Sequence, residues 1–166
     1  MPDSCTNLAI LGSTGSIGRS TLAVVGAADG ALQAIALSAH RDFSRLVEQA
    51  RAFRPRWVVA SDAEAAASFD WSGLPADCQL LTGSDGLEYV VRLPETEIVV
   101  AAIVGSAGLR STWAALDAGK RVALANKETL VMGGPLVMRL AHERRGQIIP
   151  VDSEHSAVFQ ALKAGR

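Results

Sequence analysis

Gly12-Ser13-Thr14-Gly15-Ser16-Ile17-Gly18 is a run of small residues set between an apolar stretch and a helical pattern. The preceding Leu8-Ala9-Ile10-Leu11 is short and wholly apolar, which reads as a buried parallel strand. Leu22, Val25 and Gly26 then recur at helical spacing, so a helix begins between Ser16 and Gly18. Strand, glycine loop and helix in that order form the place where an α/β protein cradles a phosphate. Glycines let the backbone approach the ligand, and the first N–H groups of the helix point at it with the favourable end of the dipole.

Outward from this loop, apolar strands and amphipathic helices alternate. Ala34–Leu37, Trp57–Ala60, Gln79–Leu81, Ile98–Ala101, Val122–Leu124 and Gln147–Pro150 read as strands. Helices are predicted over Phe43–Phe53, with Asp42 as N-cap, and over Ser84–Leu93, Leu109–Ala118, Leu130–Arg145 and Ser156–Ala164. A shorter helical start at Asp62–Ala65 decays into a loop near Gly73 and Pro75. This pattern predicts a doubly wound, mostly parallel α/β sheet of the Rossmann-like dinucleotide-binding kind. Residues 1–150 fall into that domain, and residues 151–166 read as the start of a further element, as if the chain were a piece of something longer.

Composition narrows the function. The 166 residues are 49% hydrophobic and 20% charged, which is globular rather than disordered. Sixteen basic and seventeen acidic side chains leave a net charge of −1, so no global field recruits nucleic acid or an anionic membrane. Anions must be held by a local site. Cys5 and Cys78 stand far apart in no metal or redox spacing, which predicts free thiols in a reducing cytoplasm. The N-terminus lacks a basic, apolar signal pattern, and the most apolar run, Ile98–Leu109, is too short to span a bilayer.

The glycine spacing is G-x-x-G-x-x-G, a variation on the dinucleotide fingerprint. Where an NAD site ends its second strand on an acid, this chain reads Ser38-Ala39-His40-Arg41-Asp42. Arg41 suits a 2′-phosphate through a forked, charge-assisted contact, which favours NADP; without the upstream loop it would read as a solvated arginine.

Two more constellations lie further along. Leu124-Ala125-Asn126-Lys127-Glu128 follows a strand, where open α/β sheets place their ligand crevice. Lys127 suits a substrate phosphate or carbonyl, and Asn126 and Glu128 suit a nicotinamide ribose. The same residues also fit a polar turn capped by Asn126 or Thr129. In Pro150-Val151-Asp152-Ser153-Glu154-His155, Asp152 and Glu154 are two apart, roughly 7 Å along an extended backbone and on one side of it. Two such carboxylates suit Mg²⁺ or Mn²⁺, or else Asp152 or Ser153 caps the closing helix.

Taken together and in order, GSTGSIG (Gly12–Gly18), AAIVG (Ala101–Gly105), LANKE (Leu124–Glu128) and PVDSEHSAVFQ (Pro150–Gln160) resemble the 1-deoxy-D-xylulose 5-phosphate reductoisomerase family over nearly the whole chain. The resemblance implies NADPH and Mg²⁺ or Mn²⁺ as cofactors and a phosphorylated ketose as substrate. It also implies rearrangement and reduction to 2-C-methyl-D-erythritol 4-phosphate, in the non-mevalonate route to isoprenoids, by a full-length homodimer. Carried over by motif, Thr14, Gly15, Ser16 and Ile17 meet the dinucleotide phosphates. His40, Arg41 and Asp42 occupy the 2′-phosphate loop, although His40 and Asp42 depart from the usual Gly-Lys-Asn. Asn126 and Glu128 touch NADPH, Lys127 and Ser153 the substrate, and Asp152 and Glu154 the metal, with Glu154 also near substrate hydroxyls. Lys127, Asp152 and Glu154 are expected to face one crevice. The family is more than twice this length, so the 166 residues are expected to bind NADPH without turnover. Other readings are another NADP-dependent oxidoreductase, such as a semialdehyde or homoserine dehydrogenase, and a nucleotide-binding module with no chemistry.

Overall fold

A computed structural model describes residues 5–164. Seven parallel strands form one sheet in the order β4-β3-β2-β1-β5-β6-β7. They are β1 Thr6–Leu11, β2 Leu32–Ala39, β3 Trp57–Ala60, β4 Gln79–Thr82, β5 Ile98–Ala101, β6 Arg121–Leu124 and β7 Gln147–Pro150. The connecting helices are α1 Ser16–Ala27, α2 Phe43–Phe53, α3 Ala63–Ala67, α4 Gly83–Arg92, α5 Leu109–Asp117, α6 Lys127–Arg144 and α7 Ser153–Ala164. The chain winds outward from β1 to β4, returns through α4, and winds the other way from β5 to β7. The switch point therefore lies between β1 and β5, as the doubly wound fold requires.

The apolar strands bury both faces, with alternate residues going to opposite layers. Ala9 and Leu11, with Val99 and Ala101, pack against Leu87, Val90 and Val91 of α4, Ala114–Leu116 of α5 and Val137, Leu140 and Ala141 of α6. Leu8, Ile10 and Val100 pack the other way, against Leu22 and Val25 of α1 and Leu46 and Ala50 of α2.

One irregularity matters for the site. Leu8 pairs with Ala34 but Ala9 with Ala36, so Ile35 is an extra residue in β2. Ile35 and Ala36 consequently face the same layer, while Leu37 and Ala39 face α1 and α2. The bulge shifts the parity of the strand and turns Ser38 toward the glycine loop.

Two helices start earlier than their periodicity suggests, α6 at Lys127 and α7 at Ser153. α6 also breaks at Gly133 (φ −138°), two residues before Pro135, whose ring and missing N–H disrupt the preceding turn. On α6 and α7, Val131, Met132, Leu136, Met138, Val158 and Leu162 are all more than half exposed. Among the described residues, no helix is long and apolar enough to cross a membrane.

Candidate dinucleotide site

The carboxyl ends of β1, β2, β3 and β5 open onto a crevice of about 520 Å³ at the switch point. Gly12, Thr14 and Gly15 line it together with His40, Ser61 and Val104. The glycines divide their duties. Gly12 has φ +81°, and a Cβ there would stand 2.7 Å from the Ala102 carbonyl oxygen, so only glycine lets the strand turn against β5. A Cβ on Gly18 would overlap the Gly12 carbonyl oxygen and stand 2.5 Å from Ser13 Cα, so this residue lets α1 start directly beneath the loop. Gly15 is exposed and caps α1 by backbone alone, and among the described residues no side chain is bonded to the N–H groups of the first turn. Those N–H groups are the donors an anion needs.

A buried polar network holds the loop from behind. The Gly12 N–H donates to Ser38 Oγ at 2.9 Å and the Ser13 N–H to the Ser38 carbonyl at 2.8 Å. Ser13 Oγ lies 2.6 Å from Gln49 Oε1, and Gln49 Nε2 donates back to the Ser13 carbonyl at 2.9 Å. Gln49, on α2, was not singled out in the sequence; its glutamine-for-apolar substitution on the buried helix face was the available signal.

Beside this loop stand the residues after β2. His40 Nδ1 lies 3.2 Å from Ser61 Oγ, and Arg41 Nε donates to Asp62 Oδ2 at 2.6 Å. Asp42 caps α2 by accepting the Arg45 N–H at 3.3 Å, and pairs with the Arg45 guanidinium at 3.4 Å. Asp62 caps α3 by accepting the Ala65 N–H at 3.0 Å. That backbone donor, and then the Arg41 guanidinium, hold the Asp62 carboxyl below its ordinary value.

Asn126, Lys127 and Glu128, after β6, and Asp152, after β7, lie further along the same rim, and none is among the described residues that line this crevice. Asn126 is buried, and its amide is committed inside the protein: Nδ2 donates to the carbonyls of Ile103 at 2.5 Å and Gly105 at 2.7 Å, and Oδ1 accepts the Thr129 N–H at 3.2 Å. It therefore caps α6 and fastens the loop after β5, which lines the crevice at Ile103 and Val104. Lys127 is exposed and Glu128 half-buried. Asp152 is half-buried just past β7, and its carbonyl accepts the Ser156 N–H at 2.8 Å. The side chains of Ser153 and Glu154 lie outside the described residues. Among the described side chains, no group of three His, Cys, Asp or Glu converges as a metal site.

A family model for 1-deoxy-D-xylulose 5-phosphate reductoisomerase matches residues 8–134. The chain is 50% identical over 160 residues to the 1-deoxy-D-xylulose 5-phosphate reductoisomerase of Heliobacterium modesticaldum, covering 94% of this chain and 40% of that protein. Among solved structures, it resembles a DOX-P reductoisomerase in complex with NADPH, fosmidomycin and magnesium, at 42% identity and TM-score 0.85, over 93% of this chain and 38% of that one. It likewise resembles the Zymomonas mobilis enzyme in complex with NADPH, at 35% identity and TM-score 0.85, over 95% of this chain and 41% of that one. The chain thus spans about two fifths of the length of these relatives.

Proposed function

This chain belongs to the 1-deoxy-D-xylulose 5-phosphate reductoisomerase family, and from that premise we propose that it is the NADPH-binding portion of such an enzyme. The complete protein is proposed to convert 1-deoxy-D-xylulose 5-phosphate to 2-C-methyl-D-erythritol 4-phosphate with a divalent cation. The observation that carries the reading is the crevice at the switch point, bounded by a glycine loop, with Arg41 two residues past the end of β2. Its donor set fits a dinucleotide. Thr14, Ser16 and Ile17 supply backbone N–H groups and hydroxyls for the pyrophosphate, Gly15, whose N–H closes the turn onto the Gly12 carbonyl, lets the ligand come close, and Arg41, with His40 beside it, supplies the cation for a 2′-phosphate. Glu128 would meet the nicotinamide ribose, while the geometry of Asn126 supports a role in shaping the crevice through the loop it fastens.

Residues 151–166 are read as the start of the catalytic part. Asp152 offers a hard oxygen ligand just past β7, and Glu154 is its proposed partner; two carboxylates leave positions for water and substrate around a magnesium-sized ion. When bound, NADPH supplies hydride, and the cation supplies Lewis acidity to a ketose oxygen. Lys127 is proposed to hold the substrate phosphate, with Ser153 donating to a substrate oxygen. Homodimer assembly rests on the resemblance alone, and a cytoplasmic setting on the two free thiols.

Two carboxylates and one lysine are a thin grip on a charged sugar, so the 166 residues are expected to bind NADPH without turning over. Calorimetric titration of this chain tests the cofactor reading. NADPH is expected to bind at least tenfold more tightly than NADH, and Arg41→Ala to erase most of that difference, as loss of a charge-assisted contact worth about 1.5–3 kcal/mol should. Equal affinities for the two cofactors would refute it.

A further inference from the structure

β2 and β3 end side by side, with Ala39 opposite Ala60, so the residues that follow them emerge as neighbours on the rim. This places His40 and Arg41 next to Ser61 and Asp62, although 21 residues separate them in sequence. Asp62 differs from the other acids on this rim. Its side chain is only 12% exposed, against 73% for Arg41. One carboxylate oxygen is fixed by the Ala65 N–H at the start of α3, and the other accepts Arg41 Nε at 2.6 Å and stands 3.9 Å from His40 Nε2. The carboxylate is anchored to the fold, and the arginine is anchored to the carboxylate. Arg41 is held through Nε alone; among the described residues, no acceptor engages its two terminal nitrogens.

We propose that Asp62 is a positioning residue for cofactor specificity: it grips Arg41 by Nε and leaves the two terminal nitrogens as a preset donor pair for the 2′-phosphate of NADPH. The inference rests on the reading of Arg41 given above. It answers an electrostatic objection, since an acid in a 2′-phosphate site would ordinarily repel the ligand. Here both oxygens are already occupied by donors, and the carboxylate spends its charge on the guanidinium. An arginine free to swing would have to be ordered when the phosphate arrives, and ordering one long side chain costs the equivalent of about three- to tenfold in affinity.

The experiment titrates this chain with adenosine 2′,5′-bisphosphate, which carries the 2′-phosphate, and with 5′-AMP, which does not. Asp62→Asn keeps an oxygen for the Ala65 N–H, and therefore the cap, but puts an amide where Arg41 Nε needs an acceptor. It is expected to weaken the bisphosphate about three- to tenfold and to leave 5′-AMP unchanged. In an Arg41→Ala background it should do nothing further, the signature of action through the arginine. Asp62→Ser, which also caps but does not reach Arg41, should reproduce the result. Equal weakening of both ligands would reduce Asp62 to a structural residue, and tighter bisphosphate binding would show it to be only a repelling charge; either overturns the proposal. If Arg41→Ala itself leaves bisphosphate binding intact, the 2′-phosphate reading falls, and this inference with it. Loss in Arg41→Ala without loss in Asp62→Asn sinks the inference alone.

Discussion

Individual residues carry the dinucleotide reading to different depths. Gly12 and Gly18 were visible as glycines because backbone meets backbone there, and no side chain fits. Gly18→Ala drives a Cβ into the Gly12 carbonyl and Ser13 Cα, neither of which is a flexible side-chain tip. It is expected to cost about 1–3 kcal/mol of stability and to weaken NADPH and NADH alike, because the pyrophosphate is common to both. Chemical denaturation alongside cofactor titration checks this, and a variant with ordinary stability and affinity would count against the tight fit. Arg41 stood out in the sequence from its place after the second strand, and its part in a 2′-phosphate site is a proposal. Gln49, Ser61 and Asp62 did not stand out. Gln49 is 36 residues from Ser13, and Asp62 is 21 from Arg41, so their roles exist only once parallel strands bring distant segments to one rim. Asn126 was legible as a residue of interest but not as to its partners, since the same amide suits a ribose, a helix cap or the two carbonyls it meets.

Elements were easier to read than the junctions between them. Each strand announced itself as a short apolar run bounded by turn residues. The bulge in β2 did not, because a strand buried on both faces lacks the regular polar alternation that marks which face is which, and a slip in parity leaves no trace in the composition. The break in α6 had a signal in Gly133-Gly134-Pro135, yet the periodicity on either side continued across it. At the start of α2, Asp42 had two readings, as a helix cap and as a member of the 2′-phosphate loop. Its bonds to the Arg45 N–H and guanidinium favour the cap. Asp42→Ala is therefore expected to lower stability by about 1 kcal/mol with the NADPH-to-NADH preference intact, measured by thermal unfolding and paired titrations. A changed preference at unchanged stability would return Asp42 to the cofactor site.

Across the whole molecule, helices α4, α5 and α6 are tied at one end by Asp117, which accepts from Arg92 at 2.9 Å and pairs with Arg144 at 3.1 Å. Arg92, then burial working the other way, then Arg144 leave the Asp117 carboxyl below its ordinary value, and Asp62 and Asp70 are likewise held down, chiefly by backbone N–H donors. Carboxyls more acidic in the folded than in the unfolded chain contribute stability that is complete above the unfolded value, about pH 4, and lost as pH falls through the folded values. The thermal midpoint is expected to hold from pH 7 to 5 and fall below pH 4, with a shallower fall in Asp117→Asn; an identical acid limb in that variant would remove Asp117 from the account. Strand order also dictates when the sheet can close. β1 lies at its centre, but its partner β5 begins only at Ile98, so during synthesis one side of the central strand stays unpaired until Ile98–Ala101 has been made. The layer of α4, α5 and α6 comes later still. Among the described residues no hairpin offers a local start, and every ladder waits for a loop and a helix to be made first. The same winding that gathers the crevice onto one rim leaves the middle of the nascent sheet open along one edge until the second half-sheet is made.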